Sequence, residues 1–197
     1  MKRVWTCIFA CVLVLGMTGC KKKEEQPVQT SDDTVYTARM TVKDYGEIVF
    51  EMKTSTAPET VKNFVELAES GFYDGLTFHR IMDGFMIQGG DPDGNGGGGS
   101  GKTIHGEFSS NGYDNPLSHV CGTVSMARAK NPDSASSQFF ICVADDTFLD
   151  GDYAAFGTVT EGLEVAMKIA ADAQPVDKNG TILPEEQPVI ESIVIEK

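Results

Sequence analysis

Basic residues are scarce in this chain: 16 Lys and Arg stand against 29 Asp and Glu, a formal charge of −13 over 197 residues. Such a surface repels phosphate backbones and anionic head groups, which excludes nucleic acid as a partner. Histidine is scarcer still. His79, His105 and His119 are the three present and none is spaced i, i+4 on a helix, so no metal site is expected. There is no G-x-S-x-G elbow or other nucleophile signature, and no repeat at periods of about 20–50 residues. A run long enough to span a bilayer comfortably is also missing. Lys2 and Arg3 precede the uncharged, mostly apolar stretch Val4 to Met17, whose 14 residues make about 21 Å of helix against the ~20 residues a span needs.

That stretch reads instead as the apolar core of a signal peptide, residues 1–19. It ends in Thr18-Gly19-Cys20, which resembles a bacterial lipobox. The resemblance implies that Cys20 takes a diacylglyceryl group and becomes the new N-terminus, anchoring the protein on the extracytoplasmic side of the cell membrane. Removing the leader leaves 14 basic against 29 acidic residues, or −15. Residues 20–34 hold too few apolar side chains to offset the entropy of ordering and are expected to be a flexible tether. The folded domain is expected over 35–197, as a monomer. Cys7 and Cys11 leave with the leader and Cys20 is acylated, so Cys121 and Cys142 remain. Cys142 lies in the apolar run Phe139 to Val143, where a free thiol behaves as a small hydrophobe, and two free thiols are expected.

Hydrophobic residues make up 41% of the chain, enough for a full core. Thr37 to Val42 and Glu47 to Met52 flank Asp44-Tyr45-Gly46 and read as a β-hairpin. A helix should open at Pro58 with Thr56 as its cap, carry Val61, Phe64, Val65 and Ala68 on one face, and stop at Gly71. Strand-like runs follow at Leu76 to Ile81, Phe85 to Gln88, Gly122 to Met126, Gln138 to Val143 and Ala154 to Val159. Gly162 to Asp172 is a second helix, and Val189 to Ile195 a closing strand. Many short strands with two isolated helices indicate a closed or nearly closed antiparallel β structure.

Glycine is in excess, 21 residues or about 11% against a usual ~7%, and six of them fall between Gly94 and Gly101. Gly96 to Thr103 satisfies the phosphate-loop pattern G-x-x-x-x-G-K-[ST]. The pattern works only when a helix opens directly after it, and Thr-Ile-His-Gly-Glu-Phe-Ser-Ser-Asn-Gly cannot form one, so no nucleotide is expected. Asp91 to Gly96 likewise copies half of an EF-hand loop. Its twelfth position is Lys102 rather than a bidentate Glu, so calcium is not expected either.

Chemistry concentrates in Phe78 to Asp91, where Arg80 and Gln88 stand among bulky apolar residues. At period two, Phe78 and Arg80 share a face, as do Met86 and Gln88, and Gln138 and Phe140. An apolar pocket with an Arg and two amides at its rim follows. This stretch, with Ser125-Met126-Ala127-Arg128-Ala129, Ser137-Gln138-Phe139-Phe140-Ile141 and Phe148-Leu149-Asp150-Gly151 through Phe156-Gly157, resembles the cyclophilin family of peptidyl-prolyl cis-trans isomerases from Thr37 to Ile195. The resemblance implies a mainly β fold, a closed eight-stranded antiparallel β-barrel capped by two α-helices. It also places the glycines in a family loop that runs into Lys102-Thr103-Ile104-His105-Gly106-Glu107.

X-Pro rotation faces a barrier of ~18–20 kcal/mol from the partial double bond of the imide. Anything that favours the twisted state lowers it, with no nucleophile, metal or cofactor. The resemblance implies Arg80 as the electrostatic catalyst, grouped with Phe85 and Gln88 as catalytic residues. Phe85, Met86, Phe140 and Leu149 would hold the proline ring, and Gln88, Gln138 and the Ala127-Arg128 backbone the chain. Phe148 stands where many members have Trp and Tyr153 where many have His, which implies weak binding of cyclosporin with turnover retained. Both belong to the expected substrate-binding set. The expected partners are proline-containing exported polypeptides. The alternative is a chaperone module that grips proline segments without significant catalysis.

Overall fold

The computed structural model describes residues 33–197. The expected hairpin forms from β1 (Val35–Val42) and β2 (Gly46–Lys53), paired antiparallel from Val35↔Lys53 to Val42↔Gly46. Helix α1 (Pro58–Glu69) starts at its proline and buries Val61, Phe64, Val65 and Ala68. Its cap differs from expectation: Ala57 occupies the cap position without a side-chain bond. The orphan amides are satisfied from far along the chain, by the Glu107 carboxylate, which accepts from the N–H groups of Glu59 at 3.0 Å and Thr60 at 2.8 Å. A buried acid thus sits on the positive end of the helix, which no local pattern could have shown.

Six further strands follow, β3 (Thr77–Met82), β4 (Met86–Asp91), β5 (Thr123–Met126), β6 (Phe139–Cys142), β7 (Ala155–Glu161) and β8 (Ile190–Glu196), with α2 (Leu163–Asp172) before the last. They form one sheet in the order β3-β4-β6-β5-β7-β2-β1-β8, every pairing antiparallel. The expectation of a closed barrel is corrected here. No ladder joins β3 to β8: their near ends meet only through the isolated bridge Thr77↔Val189, just ahead of β8, and a few backbone bonds around it such as Phe78 to the Pro188 carbonyl at 2.9 Å, and the sheet is a curled, open half-barrel carrying two helices. The reason lies at the outer edge of β3, whose far part, His79 to Ile81, is occupied by the 177–182 loop in place of β8. Ile81 donates to the Gly180 carbonyl at 2.8 Å and Ile182 to that of His79 at 3.0 Å. Gly180 lies at φ +86, and a Cβ there would come within 2.6 Å of the Ile81 carbonyl oxygen, so glycine alone lets the loop approach this closely.

Aromatic rings fill the interior. Phe64 packs against Phe50 at 5.6 Å, Tyr73 at 5.0 Å, Phe139 at 5.5 Å and Phe156 at 5.2 Å between ring centroids. The Tyr73 hydroxyl donates to the Ser137 carbonyl at 3.1 Å, and burial pushes its pKa up. Strands alternate between two apolar groups: Ile87, Phe139 and Ile141 belong to this core, whereas Met86, Phe140 and Cys142 form a second cluster with Leu149 on the other face. Cys121 and Cys142 are free, and burial raises both thiols above their ordinary range. Cys20, the leader and most of the expected tether lie outside the described residues. Among the described residues, no helix is long and apolar enough to cross a membrane.

Candidate active site

The cleft is assembled on the face of the sheet opposite the core. Its central cation depends on an irregularity in β3. The register against β4 shifts between Phe78, opposite Gly89, and Arg80, opposite Gln88. Period-two reading places Phe78 and Arg80 on one face; the bulge at His79 sends Phe78 into the core and turns Arg80 outward. His79 itself is buried without a hydrogen-bond partner. Burial lowers its pKa, Asp91 opposes that, and Arg80 adds to it.

Arg80 is held from several directions. Its Nε donates to the Asn179 carbonyl at 2.8 Å, Nη1 to Gln88 Oε1 at 3.0 Å, and Nη2 lies 3.4 Å from Met82 Sδ. The guanidinium stands 5.8 Å from the Phe85 ring centre. Burial lowers its pKa, against Tyr153 and Asp177, yet an arginine stays charged in any accessible pH range. Gln88 then donates from Nε2 to Gln138 Oε1 at 2.9 Å, and Gln138 donates to the carbonyls of Gly96 at 3.1 Å and Gly98 at 2.9 Å. A continuous polar relay therefore links the cation, both amides and the glycine loop.

The loop is wound around a carboxylate. Asp91 accepts from the N–H groups of Asp93 at 2.9 Å, Asn95 at 3.1 Å and Gly96 at 2.6 Å. Burial would raise the Asp91 pKa, but those amides and that of Gly98 hold it below the usual carboxylate range. A Cβ on Gly98 would collide with the Asp91 carboxylate, so the turn requires glycine. Within the 96–103 pattern the N–H groups of Gly96, Gly97, Ser100 and Lys102 are already taken by Asp91, Asn95, Ser136 and Ser100 side chains, and no helix opens directly after Thr103.

Beside the relay lies a hollow of about 290 Å³ lined by Arg80, Phe85, Gln88, Ala127 and Arg128, with Phe140, Phe148, Leu149 and Tyr153 completing its wall. Met86 sits beneath as floor, 1% exposed. Phe148 is 71% exposed and tilts over Phe85, with ring centroids 5.7 Å apart. A second hollow of about 210 Å³ adjoins it and adds Gln138, Ser134, Ser136 and the glycine loop. Arg128 stands between the two. Its Nε donates to the Asp152 carbonyl at 2.8 Å and Nη1 to that of Ala129 at 3.0 Å, with Tyr153 and Phe108 ring centres 4.7 Å and 5.0 Å from Cζ. The Ala127 N–H is taken by the Gln138 carbonyl at 3.0 Å.

Three groups at this site escaped the sequence reading. His119 stacks on Phe140 at 5.9 Å, meets Asp150 Oδ1 through Nδ1 at 2.8 Å and Ser125 Oγ through Nε2 at 2.9 Å, so it ties the cleft floor to the turn that carries Leu149. Burial lowers its pKa despite Asp150. Met82 was visible as the next outward residue of β3. Asn179 left no signal, because its place depends on the loop that edges β3.

Fold and cleft together define a class: a curled β half-barrel whose outer wall carries a cleft, with a fixed arginine beside an apolar hollow. Comparison with known proteins narrows it. Residues 37–196 match the family model of cyclophilin type peptidyl-prolyl cis-trans isomerase/CLD. The chain is 44% identical over 149 residues to a peptidyl-prolyl cis-trans isomerase of Helicobacter pylori, covering 75% of this chain and 85% of the relative. It is 46% identical over 129 residues to peptidyl-prolyl cis-trans isomerase B of Bacillus subtilis, covering 66% and 87%. A cyclophilin type isomerase of Cryptosporidium parvum, crystallised in the presence of the dipeptide Ala-Pro, superposes with a TM-score of 0.71 at 33% identity over 82% of this chain and 99% of that one. The chain belongs to the cyclophilin-type peptidyl-prolyl cis-trans isomerases and is an enzyme of that activity.

Proposed function

We propose that the enzyme rotates X-Pro bonds of exported polypeptides by electrostatic stabilisation of the twisted imide from Arg80. The observation that carries this is the setting of the guanidinium: fixed by Gln88 and Asn179 at the lip of an apolar hollow, with no carboxylate among the described residues within 4.0 Å. As the imide twists, conjugation is lost and the prolyl nitrogen gains basicity, so a nearby cation favours that state over the planar one. Bringing a ~100 s process into the millisecond range is a factor of ~10⁵, or ~7 kcal/mol. In this reading the proline ring rests on Phe85, Phe140 and Leu149 above Met86, with Phe148 and Tyr153 at its margin. Gln88, Gln138 and the Ala127-Arg128 backbone align the chain. The protein works as a monomer at the outer side of the cell membrane, held through a lipidated Cys20, the 20–34 tether and a catalytic domain over 35–197. The apolar leader and the lipobox-like Thr18-Gly19-Cys20 support that context.

The test is NMR exchange on a proline peptide with Arg80→Ala and Arg80→Lys, in protein whose amide spectrum shows the fold intact. Turnover is expected to fall by at least a hundredfold in both, because lysine carries the charge without the planar fork that Gln88 and Asn179 hold. Turnover equal to the wild type would remove Arg80 from the mechanism.

A further inference from the structure

We infer that Arg128 makes the cleft selective for proline segments that carry an acidic side chain within two residues of the proline, an inference that rests on the isomerase reading above. Arg128, Gln88 and Ala127 line both hollows, so they form the ridge between them. A polypeptide with its proline in the larger hollow must cross that ridge to place a neighbouring side chain in the smaller one. Successive Cα atoms are ~3.8 Å apart, so one or two residues make the crossing.

The guanidinium on the ridge is fixed and incompletely used. Its bonds to the Asp152 and Ala129 carbonyls occupy two of five donors, and the Phe108 and Tyr153 rings hold its plane. Little side-chain entropy is then lost when a carboxylate meets the open end of the fork. No carboxylate among the described residues forms an ion pair with it. Of the three arginines among the described residues, Arg39, remote from the cleft, pairs with Glu47 and Glu196, while Arg80 and Arg128 have no carboxylate within 4.0 Å.

That distribution is notable in a chain with 29 acidic residues. Carboxylates of the segments around the cleft are committed elsewhere: Asp152 accepts from Ser110 Oγ at 2.8 Å, Asp133 from the Gly106 N–H at 3.1 Å, and Asp91 from its own loop. The rest of the smaller hollow is neutral, made of Gln88, Gln138, Ser134, Ser136 and loop backbone. An acidic side chain entering it meets a preorganised cation and polar donors. A basic one meets Arg128 itself.

The experiment uses the full chain and peptides that differ only by Glu or Gln at each position from two before to two after the proline. The ratio of kcat/KM for the Glu and Gln members is read at low ionic strength and at about 0.5 M salt. At one or two of these positions the expected ratio is about 5–10, falling below about 2 at high salt as the charge is screened. Arg128→Gln brings the ratio to about 1 and Arg128→Lys retains part of it. A ratio near 1 at every position in the wild type, a ratio indifferent to salt, or one that survives Arg128→Gln overturns the inference. The wild-type salt series decides the question even where a variant does not fold. Peptides that bind without being turned over would fail the isomerase reading instead, and the Glu to Gln ratio would then be read from Kd by NMR titration.

Discussion

Replacing Gln88 by Glu separates a catalyst that acts by charge from one that merely positions the chain. Gln88 Oε1 accepts from Arg80 Nη1 at 3.0 Å. Glutamate keeps that acceptor and strengthens the bond, so the guanidinium stays in place, while the donor that Gln88 Nε2 gives to Gln138 Oε1 is lost. What changes at the reacting nitrogen is the field. A prolyl nitrogen within hydrogen-bond reach of the guanidinium lies about 3 Å beyond it, and so about 6 Å from the new carboxylate. At an effective dielectric near 20, a unit charge at ~6 Å is worth ~2.8 kcal/mol, and half a unit of developing charge feels ~1.4 kcal/mol. Because the prolyl nitrogen gains electron density as the imide twists, the added carboxylate disfavours the twisted state by that amount, and the loss is about tenfold in rate. NMR exchange with saturating and limiting peptide should show kcat reduced about tenfold for Gln88→Glu, with an amide spectrum otherwise like the wild type. An unchanged or raised kcat would refute the electrostatic argument, because the tightened Arg80 contact would then be what matters.

Two further expectations concern stability. Phe64→Ala removes the ring at the centre of the core, fully buried and packed on four aromatic neighbours, and should cost about 3–5 kcal/mol by urea unfolding with an unchanged m-value. A loss below about 1.5 kcal/mol would mean that the rings do not form one packed core. His79 and His119 are both held below their ordinary value of 6.5, chiefly by burial, so as pH falls the unfolded chain takes up the proton first. Stability is therefore complete above about 6.5 and declines below it, which urea midpoints at pH 7.5, 6.5 and 5.5 would show; equal midpoints would contradict the burial of these rings.

Sequence patterning made most of the fold legible because burial and period two coincide in short strands. Ile87 and Gln88, or Phe139 and Phe140, announce their opposite faces by type alone. Where a residue interrupts the period, the reading fails, as it does at His79, whose bulge separates Phe78 from Arg80. The open seam fails for another reason. Nothing local in Val189 to Ile195 tells that β3 will be edged by the Asn179-Gly180 loop rather than by β8. The helix cap failed because its acceptor, Glu107, lies in a distant segment. Among site residues, those that resemble the family's blocks gather at one cleft, while Asn179 and His119 act through contacts formed only on folding. The glycine cluster was legible as a loop, but its cause, a carboxylate wrapped by backbone amides, was not.

β4 and β6 each present core residues on one face and cleft residues on the other, with Ile87 between Met86 and Gln88, and Phe140 between Phe139 and Ile141. Reading frame along these strands therefore carries two messages at once. A single residue inserted or deleted in β4 would turn Gln88 inward, and one in β6 would do the same to Phe140, each exposing core side chains in exchange, so that cleft and core would be disturbed in one event. Point substitutions can be absorbed one face at a time; length changes in these two strands cannot, so natural variation in chain length should be confined to the loops between them.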